Sequence, residues 1–279
     1  MSGTFAPAPG GAPLARKVLA QAAMETRLML RNGEQLLLAV VIPVIVLIGG
    51  VRGAEKVDLS YGVDTFVPGV LALAVMSTAF TSLAIATGFE RRYGVIKRLG
   101  TSPLSRTGLL AGKVLALLAV EVLQIVVIAG VGFALGWEPS VHVAALLATL
   151  VCGTLAFASL GLFVAGALRA EATLAAANLI YLLLMAGGAV VLPTSAYGSF
   201  GDVVAWLPSG ALGEAMRSAL IDASFPARDL AVLLGWSAIG AAATDAAEGV
   251  GDAVNKAEKA ADAAGDAIKE DATPTAPAT

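Results

Sequence analysis

The chain has 279 residues, 57% of them apolar and only 14% charged, with a mean hydropathy of +0.82. Soluble domains carry about 25% charged residues, so this composition excludes an ordinary soluble domain and indicates a polytopic membrane protein. The net charge of −3 is weighted by an acidic C-terminal tail, and a single cysteine (Cys152) with a single histidine (His142) leaves no internal disulfide and no histidine cluster to expect.

Residues 1–13 are rich in Pro, Gly and Ala and read as a disordered lead-in. Positions 14–31 set Leu14, Val18, Ala22 and Leu28 near one face, with Arg16, Lys17, Glu25, Arg27 and Arg31 mostly elsewhere. That is the pattern of an amphipathic helix lying in the membrane interface, with a plain solvated helix as the alternative. Long apolar runs follow at 36–51, 66–89, 109–135, 141–168 and 174–192, and a shorter one at 230–243. A crossing helix needs about 20 residues. Runs two to five meet this, the first begins near Glu34, and the sixth spans only roughly 21 Å at helical rise. The first run comes too late, after a Pro/Gly-rich and basic start, for a cleavable signal peptide, so it is expected to serve as the targeting segment. The expected fold is all-α: a polytopic bundle of six transmembrane helices, preceded by the interfacial helix, with a short external helical hairpin between spans five and six.

Lys and Arg near the spans orient the bundle. Eleven fall in the N-terminal segment, the loop after span two and the turn after span four, against four on the other side (Arg52, Lys56, Arg217 and Arg228). The N-terminus is therefore expected to be cytoplasmic. The loop after span two, residues 90–106, is the most distinctive stretch. It carries Glu90, Arg91, Arg92, a turn at Gly94, an apolar-basic mini-helix with Lys97 and Arg98, a stop at Pro103, and Arg106.

Inside the spans, Glu121 and Gln124 lie about two and three turns beyond Lys113, and Asn178 and Tyr181 sit in span five. A buried acid at such depth costs about 3 kcal/mol on insertion scales and usually faces a partner or a water-filled route. Glu121, Gln124 and Asn178 are thus candidates for a translocation path. The structural alternative pairs Glu121 with Lys113, eight residues away on the same face, and gives Asn178 a helix–helix hydrogen bond. Small residues at four-residue spacing (Ala74, Thr78, Ser82, Ala86; Gly132, Gly136; Gly161, Ala165) favour close helix approach.

After Pro193 the chain becomes more polar. Trp206-Leu207-Pro208-Ser209-Gly210 leads into a helical stretch with Glu214 and Arg217 at i, i+3. This segment fits a hairpin dipping into the outer leaflet, its aromatics at headgroup level, with a plain extracellular loop as the alternative. Residues 244–279 form an Ala/acidic tail with only a weak apolar stripe, read as disorder.

No G-x-x-x-x-G-K-[ST] phosphate loop occurs; residues 108–114 have the wrong spacing and no hydroxyl after Lys113. No metalloprotease motif or Ser/His/Asp arrangement is present. The chain is expected to be no enzyme and to need no cofactor.

The segment from Glu90 to Leu99, followed by Thr101-Ser102-Pro103-Leu104-Ser105-Arg106, resembles the integral-membrane permeases of the type-2 ABC exporters, as does Leu207-Pro208-Ser209-Gly210-Ala211-Leu212 with Arg217 downstream. The similarity covers roughly residues 14–240, and actinobacterial drug- and antibiotic-export permeases are among the similar proteins. It implies an export permease of the plasma membrane, moving a hydrophobic or amphipathic cargo. It also implies a homodimer, or a pair with a sister permease, docked on two copies of a cytoplasmic ABC ATPase. Glu90, Arg91, Arg92, Gly94, Lys97, Arg98, Pro103 and Arg106 would form the ATPase-coupling loop, and Pro193, Trp206, Pro208 and Arg217 the external gate. Membrane lipids are the other expected partner, and nucleic acid is not. A stand-alone secondary transporter or a membrane scaffold is the competing reading. The family usually ends soon after span six, whereas this chain continues as the 244–279 tail.

Overall fold

The computed structural model describes residues 12–56, 61–95, 104–247 and 249, and no strand occurs among them. The helices are α1 (Leu14–Arg31), α2 (Gly33–Lys56), α3 (Val63–Arg92), α4 (Arg106–Ala134), α5 (Val143–Ala167), α6 (Ala170–Gly187), α7 (Pro208–Leu220) and α8 (Ala227–Ala247). Among the described residues, α3, α4, α5, α6 and α8 are long and apolar enough to cross a membrane. Helix α2, with 24 residues, reaches about 36 Å at helical rise. The all-helical bundle expected from composition is therefore present.

Several span boundaries differ from the sequence reading, and α2 runs on to Lys56, past the predicted end at 51. The last span is 21 residues long, because α8 begins at Ala227, three residues before the apolar run, and the first four residues of the Ala-rich tail, 244–247, continue it. Alanine is the best helix former, and Thr244 Oγ1 donates back to Gly240 O at 2.8 Å. The rest of the tail, apart from 249, lies outside the described residues, as do residues 1–11 of the lead-in. The fifth span stops at Gly187 rather than running to 192. Ala189 there has φ of +53°, a left-handed conformation that a continuing helix does not contain.

Helix α3 forms the centre. Some 72% of its most apolar window is buried, against 17% for α6. It contacts α2, α4, α5 and α7, and its second half contacts α6. Without a hydrophobic driving force in lipid, such packing rests on close van der Waals fit. Gly161 of α5 supplies it: a Cβ there would stand 2.9 Å from Phe80 O of α3. Beside it Phe80 and Phe157 meet edge to face, centroids 6.4 Å apart. At Ser77–Ser82, α3 loosens into a π-helical turn, a feature that concentrates at functional sites.

Chain direction alternates along the bundle. The ends of α3, α5 and α8 and the starts of α2, α4 and α6 share the end that carries the loop 90–106. The opposite end holds the 188–226 segment and the α4–α5 turn, which are zipped together where Ser140 N donates to Leu220 O at 3.0 Å and His142 N to Ala219 O at 2.8 Å.

Candidate functional site

At the loop end, the side chain of Lys113 closes the base of the loop. Its Nζ lies 2.9 Å from both carboxylate oxygens of Glu90 and 3.4 Å from Glu25 Oε1 of α1. One ammonium thus joins the last turns of α3, the first turns of α4 and α1. All three side chains are mostly buried, with 14–21% of their surface exposed, so solvent screens them less than an exposed pair. The close approach of α1 to α4 rests on Gly112, where a Cβ would stand 2.8 Å from Gln21 Cγ. The pairing of Glu121 with Lys113 considered from spacing is not what forms, since the ammonium is held by Glu90 and Glu25.

The next two arginines tie α3 sideways. Arg91 Nη1 donates to Ala165 O and, at 2.6 Å, to Gly166 O, capping carbonyls that α5 leaves unpaired at its C-terminus. Arg92 pairs with Glu171 in the first turn of α6; both are exposed, so the pair contributes little to stability. Gly94 takes φ of +69°, the left-handed turn that glycine adopts without steric cost. Lys97, Arg98 and Pro103 lie outside the described residues, as does the side chain of Arg106.

In mid-bundle, Glu121 and Gln124 are side by side on α4, each only 1% exposed. Gln124 Nε2 donates to Ala39 O of α2 at 2.8 Å, and its Oε1 accepts from Thr78 Oγ1, in the π-turn of α3, at 3.1 Å. Thr154 Oγ1 of α5 lies 2.7 and 2.9 Å from the two oxygens of Glu121, and 2.7 Å from Leu150 O. The Thr154 hydroxyl therefore sits among three oxygens. These contacts fasten α4 to α2, α3 and α5. Asn178 is elsewhere: it is exposed on α6 and donates to its own helix at Leu174 O, 2.9 Å away.

At the far end, Arg217 of α7 is 5% exposed. Its guanidinium reaches four successive carbonyls: Ala189 at 3.0 Å, Leu192 at 3.2 Å, and Val190 and Val191 at 3.4 Å. Buried carbonyls outside a helix need donors of their own, and this one side chain supplies them for 189–192. Glu214 completes the knot, touching Arg217 at 3.3 Å and accepting from Thr194 N at 2.7 Å. Burial raises the Glu214 carboxyl, but the Arg217 charge and the Thr194 N–H together outweigh it and hold the group below its ordinary value. Glycines make the approach possible. A Cβ on Gly69 would overlap the Val191 carbonyl, and one on Gly213 would lie 2.8 Å from the Ala189 and Val190 carbonyls.

Pro208 is buried at the first turn of α7, and Pro193 precedes the short 3₁₀ stretch Thr194–Phe200. Trp206 is 61% exposed; its carbonyl accepts from Trp236 Nε1 at 2.8 Å and Arg228 lies 5.2 Å over its ring. Sequence reading singled out Arg217 but not its carbonyl partners, and it missed Glu25, Thr154 and Glu171 as partners. Their pairings join helices distant in the chain, and no spacing rule connects them.

A buried helical bundle with apolar spans, a basic loop clamped at its base and an irregular segment pinned at the far end defines a multi-pass membrane transport protein. Residues 20–244 match the family described as ABC-2 family transporter protein. The chain belongs to that family, and is accordingly a permease subunit of an ABC transporter that associates with an ABC ATPase. No curated protein and no solved structure matches the chain.

Proposed function

We propose that this permease exports a hydrophobic or amphipathic cargo, of the drug, antibiotic or lipid-like kind, across the plasma membrane. Its N-terminus is cytoplasmic, α2–α6 and α8 are six spans, and ATP is hydrolysed only by the partner, present in two copies. The loop 90–106 receives the ATPase. The observation that carries this reading is the Glu90–Lys113–Glu25 clamp: a push on the loop is passed at its base to α1, α3 and α4 together. The exposed α6, with Asn178 among Leu174, Leu179, Leu182 and Leu183, supports pairing with a second permease, because an amide facing lipid gains from a partner across a helix interface. Glu121 and Gln124 meet the cargo only when the helices they fasten separate, and the knot around Arg217, with Pro193, Trp206 and Pro208, is the external gate.

The test is co-expression with the ATPase of the same transporter and replacement of Lys97 and Arg98 by Glu. ATPase stimulation and transport should both fall while membrane insertion persists. Unaltered complex formation and transport would remove the loop assignment.

A further inference from the structure

We propose that the cleft between the end of α3 and the α5–α6 turn binds the phosphate of an anionic lipid headgroup. The cleft, of about 520 Å³, is lined by Gly88, Arg91, Arg92, Gly166, Arg169 and Glu171 among others. Its volume lies within the roughly 300–1,000 Å³ of ordinary ligand sites. Three guanidinium groups face one carboxylate there. Arg92 is matched by Glu171, but Arg91 spends its bonds on the neutral carbonyls of Ala165 and Gly166. Arg169 is exposed, and its guanidinium has no hydrogen-bond or ion-pair partner among the described residues. Two positive charges are thus left without a counter-charge, in a planar-fork geometry suited to phosphate oxygens.

Position selects the source of the phosphate. Helices α3 and α5 end here, and α6 begins here, so the cleft sits at the border of the apolar zone, where basic pockets between spans hold anionic headgroups. Leu168 lines the cleft and Leu174 stands one turn into α6, 38% and 41% exposed, an apolar track for an acyl chain. Which leaflet this is follows from the topology proposed above; binding itself does not depend on it.

The experiment is native mass spectrometry of the full chain in neutral detergent, titrated with phosphatidylglycerol or zwitterionic phosphatidylcholine. Phosphatidylglycerol should be retained preferentially, and Arg169→Gln should weaken it about tenfold, the loss of one charge-assisted contact. Arg16→Gln, an exposed arginine of α1 outside the cleft, should retain it as the parent does. Equal retention of both lipids, or full retention by Arg169→Gln, would overturn the proposal. Displacement by equimolar inorganic phosphate would assign the site to free phosphate instead of lipid. If Arg169→Gln keeps the lipid and loses the ATPase in co-purification, the cleft is a protein-docking surface and the lipid assignment fails.

Discussion

Arg217 Nη2 lies 3.0 Å from the carbonyl of Ala189, the residue whose φ of +53° turns the chain out of α6. The turn and the guanidinium need one another: the turn exposes carbonyls in an apolar setting, and the guanidinium supplies donors that neutral neighbours lack. Replacing Arg217 by Met should therefore cost about 3–5 kcal/mol, the range for removing one partner from a buried charged set. A fall in the detergent melting temperature measures it. Lysine should rescue only in part, because a compact ammonium cannot span four carbonyls as a planar fork does.

Gly69→Ala should destabilise by about 1–3 kcal/mol, the usual cost of overpacking. The obstructing atoms are backbone, the Val191 carbonyl and Cα, so no side-chain rotation relieves the overlap. Gly49→Ala in α2, where a Cβ would meet nothing within 4 Å, is the matched control and should melt like the parent.

Glu214 gives the far-end knot an acid dependence. Its folded-state carboxyl is held below the ordinary value of 4.5, so its contribution is fully present above that pH. The contribution is lost as pH falls from 4.5 through the lower folded value. Melting temperatures measured from pH 7 downwards should drop less steeply below 4.5 in Glu214→Gln than in the parent. Parallel curves in that window would show that the Arg217 contact does not depend on the Glu214 charge.

For Glu121, Gln substitution should leave the melting temperature unchanged or raise it, since an amide keeps the shape and an acceptor for Thr154 and has no charge to bury. Thr154→Val should instead lower stability by about 1–3 kcal/mol, the cost of leaving buried acceptors unsatisfied. A large destabilisation by Glu121→Gln would mean that the carboxylate has an essential cationic partner.

Topology is read by cysteine labelling after Cys152→Ala. Ser140→Cys, exposed in the α4–α5 turn, should react with an impermeant maleimide in intact cells. Thr107→Cys, exposed at the start of α4, should react only after lysis. The reverse pattern would invert the bundle and place the clamp at the outer face.

Sequence alone determined the class of this protein and its rough layout. Apolar runs near the length needed to cross a membrane are a one-dimensional signal, and so are the breaks at the basic loop and at Pro193. Helix, the alternation of direction and the polar outliers Glu121, Gln124 and Arg217 all follow from that signal, because lipid forces each span to satisfy its own backbone. It failed where a boundary depends on contacts remote in the chain. The apolar run to Leu192 reads as helix, yet 188–192 unwinds because Arg217, 25 residues beyond Leu192, can satisfy its carbonyls. Lys113 reads as a partner for Glu121 on its own helix, yet the fold brings Glu90 and Glu25 to it from α3 and α1. Only the tertiary structure decides such pairings, since a buried charge takes the partner that packing delivers, and packing among apolar helices is set by where glycines such as Gly69, Gly112 and Gly161 let backbones meet.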